Sequence, residues 1–391
     1  MGKLEDQGPA GLEPVRMGTS GRRAGATSPA PSEAIEREIH ERLKRPTQPP
    51  GTILQDLTET EAIRTLGAHG ASPREARRLW SAALKRRMAV SEFGDLPQIR
   101  RDVLDSVQRS CLTPRLEVLT RRLDPADGFQ KFLFGLEDGQ RVEAVRIPIF
   151  DTHYVVCVSS QVGCALACDF CATGRMGFKR NLRPWEIVEQ VFTIREEADR
   201  PVRGVVFMGM GEPFLNYRHV IAAAKILSAP SGGAIAGRAI TISTAGWVPM
   251  IERYTDEGHP FRLAVSLTSA IPEKRIDVMP IEKRWPLPAL MAAVRRHALA
   301  RRTRAMLAYV VIRGFNTGYE DAVALKELIG DTPVKIDLID VNDATGRYLP
   351  PEPDELERFR DHLQILGAPV VRRYSGGKSI EGACGMLAGT G

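Results

Sequence analysis

Tyr154-Val155-Val156-Cys157-Val158-Ser159-Ser160-Gln161-Val162-Gly163-Cys164-Ala165-Leu166-Ala167-Cys168-Asp169-Phe170-Cys171 passes from an apolar, strand-like segment into a loop that carries three cysteines spaced C-x3-C-x2-C. Beyond this run, strand-like segments recur at 204–210, 239–244, 263–267, 306–312, 334–341 and 370–373. Helical patterns lie between them at 185–197, 217–227, 287–302, 319–329 and 354–366. Strands alternating with helices imply a mostly parallel sheet with helical crossovers, and about six such units suit a partial or full β/α barrel. Barrels of this kind carry their chemistry at the C-terminal ends of the strands. The cysteine loop follows the first strand, so it lies on that rim. Three thiolates are one short of closing a tetrahedral zinc site or of holding every iron of a 4Fe–4S cube. A three-cysteine cluster leaves one iron open to a ligand.

The 391 residues are 43% hydrophobic and 26% charged, as in ordinary globular proteins of two or three folded units. Lys and Arg outnumber Asp and Glu by 54 to 48, an excess that favours a polyanionic partner without identifying one. No segment has the roughly 20 apolar residues needed to span a bilayer, and the N-terminus lacks the apolar core of an export signal. A reducing cytoplasm is therefore expected, in which the six cysteines serve as thiols and not as structural disulfides. Residues 1–52 read as a disordered Gly/Pro/Ser-rich tail, with a short helix near 33–43. Residues 53–115 read as a helical accessory domain whose helices open at Thr58 and Ser72 with capping-box spacing. The second helix and its end carry Arg74, Arg77, Arg78, Lys85, Arg86 and Arg87, either a solvated face or an RNA contact. Residues 116–150 form a hairpin turning at Asp138-Gly139, and 151–391 form the core with a C-terminal segment.

Further candidates stand at other strand ends. Met208-Gly209-Met210-Gly211-Glu212-Pro213 combines glycines, which let backbone approach a ligand closely, with an acceptor for an ammonium group. Ser243, Ser266 and Asn342 end three more strands; each alone is an ordinary strand-end polar residue, but together they line one rim. Cys157 or Cys384 could complete a zinc site as a fourth ligand, or either could be an inert buried cysteine.

Taken together, Cys157-Val158-Ser159-Ser160-Gln161-Val162-Gly163-Cys164, Cys171-Ala172-Thr173-Gly174, Gly209-Met210-Gly211-Glu212-Pro213 and Ala383-Cys384-Gly385 resemble the RlmN/Cfr family of radical S-adenosylmethionine (radical-SAM) RNA methyltransferases. The resemblance covers 141 to the C-terminus. It implies an α/β fold, a partial (β/α)6 barrel, with a 4Fe–4S cluster on Cys164, Cys168 and Cys171. It places S-adenosylmethionine against Gly211, Glu212, Ser243, Ser266, Leu267, Thr268 and Asn342. It further implies that Cys384 is methylated, that a radical activates its S-methyl group for addition to adenine, and that Cys157 releases the product by forming a transient Cys157–Cys384 disulfide. Glu143, on the strand face of Val145 and Ile147, matches the family's proton acceptor; the plainer reading is an edge-strand carboxylate. The implied substrate is carbon 2 of an adenine in 23S rRNA, with tRNA as a second substrate. Carbon-8 methylation and a non-enzymatic iron–sulfur RNA-binding protein are the alternatives. A flavodoxin or ferredoxin would donate electrons to a monomeric enzyme, and RNA contacts are expected from the helical segment, Lys179-Arg180, Arg295-Arg296 and 301–304. Two differences stand out: Ser266-Leu267-Thr268 replaces a frequent Ser-Leu-His, and 372–380 departs from the usual approach to the methyl-carrying cysteine.

Overall fold

The computed structural model describes residues 51–389. The expected tail, up to residue 50 and including its helix near 33–43, lies outside the described residues.

Three helices form the first unit: α1 (Glu59–Ala68), α2 (Pro73–Leu84) and α3 (Arg101–Ser110). Both expected capping boxes are present. Thr58 and Glu61 close the start of α1, and Ser72 and Glu75 that of α2, satisfying backbone N–H groups that have no partner within the helix. Leu66, Leu79, Phe93, Val103 and Val107 make a small core of their own. Trp80 and Leu84 instead join the main core, so α2 faces both ways. The charge run on α2 is partly spent within the protein: Arg77 pairs with Glu59, and Arg87, just beyond the helix, with Glu189 and Glu196.

The remaining chain forms one ten-stranded sheet in sequential order: β1 (Glu117–Leu123), β2 (Gln130–Gly135), β3 (Arg141–Ile149), β4 (His153–Cys157), β5 (Val202–Phe207), β6 (Ile240–Thr244), β7 (Arg262–Ser266), β8 (Ala305–Val311), β9 (Val334–Asp340) and β10 (Val370–Arg373). The first four pair antiparallel; β4 to β10 are all parallel. The hairpin of β2 and β3 turns at Asp138-Gly139, where Gly139 has φ +76. It continues the sheet through β3–β4 pairing, and β1, which the sequence pattern does not reveal, extends it to an exposed edge. The crossovers use α4 (Ala172–Arg175), α5 (Pro184–Glu196), α6 (Tyr217–Ser228), α7 (Val248–Glu257), α8 (Pro272–Val278), α9 (Leu287–Arg301), α10 (Tyr319–Ile329) and α11 (Pro353–His362). Because β1 and β10 are not paired to each other, the barrel is open, with six β/α units and a closing strand. Strands β5 to β9 are buried along most of their length, which explains their nearly continuous apolar runs, while β10 at the edge is largely exposed. α5 is buried almost all round, between the sheet and the helical unit, and Asp56 caps it by accepting from the Trp185 N–H at 2.9 Å.

Candidate active site

After β4 the chain forms a short ribbon, Gln161–Gly163 against Phe178–Asn181, and the three cysteines lie in the loop that the ribbon closes. Gly163 is required there: it has φ +73, and a Cβ would stand 1.8 Å from the Gly177 carbonyl oxygen. The loop is pinned from several sides. Cys164 N–H donates to Gly177 O (3.1 Å), Asp169 N–H to Val278 O (3.0 Å), and Tyr348 OH to Asp169 Oδ2 (2.6 Å). Arg175 donates to Asp169 O and pairs with Asp343 at 2.9 Å.

Cys164, Cys168 and Cys171 face one end of a cleft holding, with solvent at its mouth, about 980 Å³. Burial pushes the Cys164 thiol up to about 12 and raises those of Cys168 and Cys171. Such thiols ionise when a bound cation offsets the lost solvation, so the donor set suits a metal group held within the cleft. Three cysteines on one cleft are the donor set for three irons of a 4Fe–4S cluster, with the fourth left open to a ligand.

The walls of the cleft come from successive strand ends. Gly211, Glu212, Ser243, Ser266, Asn342 and Cys384 all line it with the three cysteines. Glu212 is buried, and its carboxylate accepts from Phe214 N–H (3.0 Å) and Ala245 N–H (2.9 Å), tying the ends of β5 and β6 together. Burial pushes its pKa up to about 7, against the pull of those two N–H bonds. Gln161 holds the Glu212 backbone N–H at 2.8 Å. Gly211 (φ +102) leaves room for that glutamine, whose Cβ would lie 2.5 Å from an added one. Asn342 donates to Ser375 Oγ (2.8 Å) and to the Cys384 carbonyl (3.4 Å), joining the end of β9 to the C-terminal segment.

Leu267 and Thr268 do not line this cleft. Both are fully buried behind it: Leu267 N–H donates to Ala308 O, and Thr268, at φ +62, offers its carbonyl to Asn316. Arg275, which no sequence pattern singles out, is fully buried under the rim. It pairs with Glu282 at 2.6 Å and donates to the carbonyls of Leu267 and Ala245, bracing the ends of β6 and β7. Nothing in its helix, an ordinary amphipathic segment, marks it.

Cys384 is exposed and borders two cavities. One is the cleft; the other also holds Cys157, which is buried on β4. Burial, aided by the Cys384 charge and opposed by Arg373, pushes the Cys157 thiol up to about 12. Both thiols are free. The segment after Cys384 is strapped down: Ala172 N–H donates to Gly385 O (2.7 Å), and Thr173 Oγ1 to Leu387 O (2.6 Å). Its end is held by Glu143. That carboxylate is fully buried, and its Oε2 accepts from the backbone N–H groups of Ala388 (2.8 Å) and Gly389 (3.1 Å). Its Oε1 faces the Lys131 ammonium at 3.0 Å. Lys131 is likewise absent from the candidates that motifs supply; the hairpin register, which pairs Lys131 with Val145 and Leu133 with Glu143, sets the two charges diagonally on one face.

Residues 158–325 match the Radical SAM superfamily. A Myxococcus xanthus protein named "Probable RNA methyltransferase" is 57% identical over 338 residues, covering 86% of this chain and 94% of its own. A Geobacter sulfurreducens protein named "Dual-specificity RNA methyltransferase RlmN" is 39% identical over 339 residues, covering 86% of this chain and 92% of its own. The crystal structure of a radical SAM methyltransferase from Sphaerobacter thermophilus superposes with a TM-score of 0.79 at 35% identity, over 86% of this chain and 99% of that one.

Proposed function

The chain belongs to the RlmN-like radical SAM RNA methyltransferases, and on that premise we propose that it methylates carbon 2 of an adenine in 23S rRNA, and of tRNA as a second substrate, through a methyl group carried on Cys384. The family implies one 4Fe–4S cluster and S-adenosylmethionine, which when bound supply one-electron chemistry and the methyl group. The observation that carries the proposal is the position of Cys384, between the three-cysteine cleft and the cavity of Cys157.

Each residue then has a task. Cys164, Cys168 and Cys171 would hold the cluster as thiolates. Gly211, Glu212, Ser243, Ser266 and Asn342 shape the adjoining wall against S-adenosylmethionine; Leu267 and Thr268 support it from behind. Addition to the adenine leaves an unpaired electron on the Cys384 adduct, so rearomatisation needs loss of one electron, to an oxidised electron carrier, and of the ring proton, to Glu143 Oε1. That oxygen is fully buried and paired with Lys131, so the C-terminal strap must lift first. The Cys157 thiol gives its proton to solvent in the cavity it shares with Cys384, and the thiolate attacks the Cys384 sulfur. A sulfur–sulfur bond forms as the carbon–sulfur bond to the base breaks, the electron pair staying with the departing carbon, which is then protonated. A dithiol reductant reopens the disulfide, and a flavodoxin or ferredoxin supplies the electron for each turnover.

Mass spectrometry of nucleosides from RNA treated with the reconstituted enzyme tests this. The expected product is 2-methyladenosine, absent with Cys384→Ala. Formation of 8-methyladenosine would move the chemistry to carbon 8. Cluster and RNA binding without reductive S-adenosylmethionine cleavage would mean a non-enzymatic RNA-binding protein.

A further inference from the structure

At the end of the barrel opposite the cysteine cleft, consecutive strands each have a cation at or beside their start. Arg203 is the second residue of β5, Arg238 lies two residues before β6, Arg262 starts β7, Arg304 precedes β8 and Lys335 is the second residue of β9. Four of these five converge, with His259 and Arg301, on a cavity of about 1330 Å³, solvent at its mouth included, that has no carboxylate in its lining; Arg203 lies in the adjoining one.

Several arginines in other runs among the described residues are neutralised. Arg295 and Arg296 pair with Asp331 and Asp256, and Arg180 with Glu186 and Asp138. In the basal cavity Lys335 is committed to Asp337 (2.8 Å) and Arg301 donates to the His259 carbonyl (3.1 Å). Arg238, Arg262 and Arg304 are exposed and pair with no carboxylate among the described residues. Concentrating like charges in a concavity costs electrostatic free energy that an anion bound there returns. The basal end of such barrels ordinarily serves stability alone, which three unpaired guanidiniums do not improve.

We propose that this basal cavity is a second RNA site, which grips phosphodiester groups of the substrate remote from the adenine being methylated, with Arg238, Arg262 and Arg304 as its phosphate ligands. Guanidinium forks suit phosphate oxygens. Phosphodiester contacts position an RNA without reading its bases. The cavity shares Arg262 and Met306 with the cavity of Cys157 and Cys384, so one basic path leads from the base of the barrel toward the catalytic thiols. The site rests on the RNA methyltransferase reading and extends it: a large folded RNA would touch both ends of the barrel, whereas a short one would reach only the rim.

The test is binding of cluster-loaded protein to a 23S rRNA transcript and to a short adenine-containing hairpin over a salt series, comparing wild type with Arg238→Gln/Arg262→Gln/Arg304→Gln. Three lost phosphate contacts should lower the slope of log K against log salt by about 2 on the transcript. With equal binding at 1 M salt, that slope corresponds to roughly hundredfold weaker binding at 0.1 M. Hairpin binding, iron content and reductive S-adenosylmethionine cleavage should be unchanged, and the triple Arg→Lys variant should recover much of the loss. Equal slopes for wild type and variant on the transcript would overturn the proposal, as would the same loss on hairpin and transcript. Suppression of the wild-type advantage by millimolar inorganic phosphate alone would reassign the cavity to small anions. If the wild type bound neither RNA while still cleaving S-adenosylmethionine, the RNA methyltransferase reading itself would fall, and this site with it.

Discussion

Removing the Lys131 ammonium should loosen the C-terminal segment and destabilise the fold, because Lys131 and Glu143 form a pair with almost no solvent. Lys131 is 3% exposed, Glu143 is fully buried, and their charges lie 3.0 Å apart. At an effective dielectric of about 20 the attraction is roughly 5 kcal/mol, and desolvating both ions returns much of it. Deleting one partner is costlier than the net worth of the pair, since the other charge stays buried. Lys131→Met leaves Glu143 with two backbone N–H donors and should cost about 3 kcal/mol, the lower end for a broken buried pair. Glu143→Leu should cost more: it leaves Lys131 with Glu381 at 3.8 Å, a half-exposed partner, and strips the Ala388 and Gly389 amides of their acceptor. The double variant should cost clearly less than the sum, because no charge is then left alone. Urea unfolding gives the energies, and amide hydrogen exchange at Ala388 and Gly389 reports the strap. A cost below about 1 kcal/mol for Lys131→Met, or unchanged exchange at both amides in Glu143→Leu, would contradict this account of the pair.

Three other outcomes are expected. Gly163→Ala forces a positive-φ alanine into the Gly177 carbonyl, so the purified protein should carry little iron and lack the visible absorbance of a cluster, while far-UV circular dichroism stays near wild type. Arg275→Met leaves Glu282 buried without its partner and should destabilise by about 3–5 kcal/mol; a loss under about 1 kcal/mol would show that the brace is not needed. In cluster-free protein, Glu212 holds its proton up to about pH 7 when folded and to about 4.5 when unfolded, so the folded state binds more protons between those values. Its contribution is full below about pH 4.5 and is lost as pH rises through 7, a fall of about 3 kcal/mol. Glu212→Gln should flatten that fall in urea titrations at pH 5 and 8, and an unchanged pH dependence would count against it.

Much of the rim is legible in the sequence. The cysteine spacing, Gly-rich strand end and terminal Ser and Asn residues are local signals, and alternation of strand and helix fixes which end of the sheet they share. Helix starts at Thr58 and Ser72 are equally readable, because a capping box is completed within four residues. Lys131 is within reach of the same logic: a turn at Asp138-Gly139 sets the hairpin register, and that register brings Lys131 diagonal to Glu143. β1 is harder to see, since an edge strand with an exposed face has little apolar periodicity.

The alternating αβ pattern, the three-cysteine loop and the order of chemistry along the rim follow from the amino-acid order alone, because φ/ψ preference, side-chain periodicity and loop position are properties of neighbouring residues. It takes the folded chain to show that Cys384 borders both the cleft and the cavity of Cys157, and that Leu267 and Thr268 stand behind the wall and not in it. The same holds for Arg275 as a brace of the rim, and for arginines from separate strands that meet in one cavity without an acid. Those facts arise from contacts between residues far apart in the chain, set by how strands twist and helices pack, and no local pattern carries them.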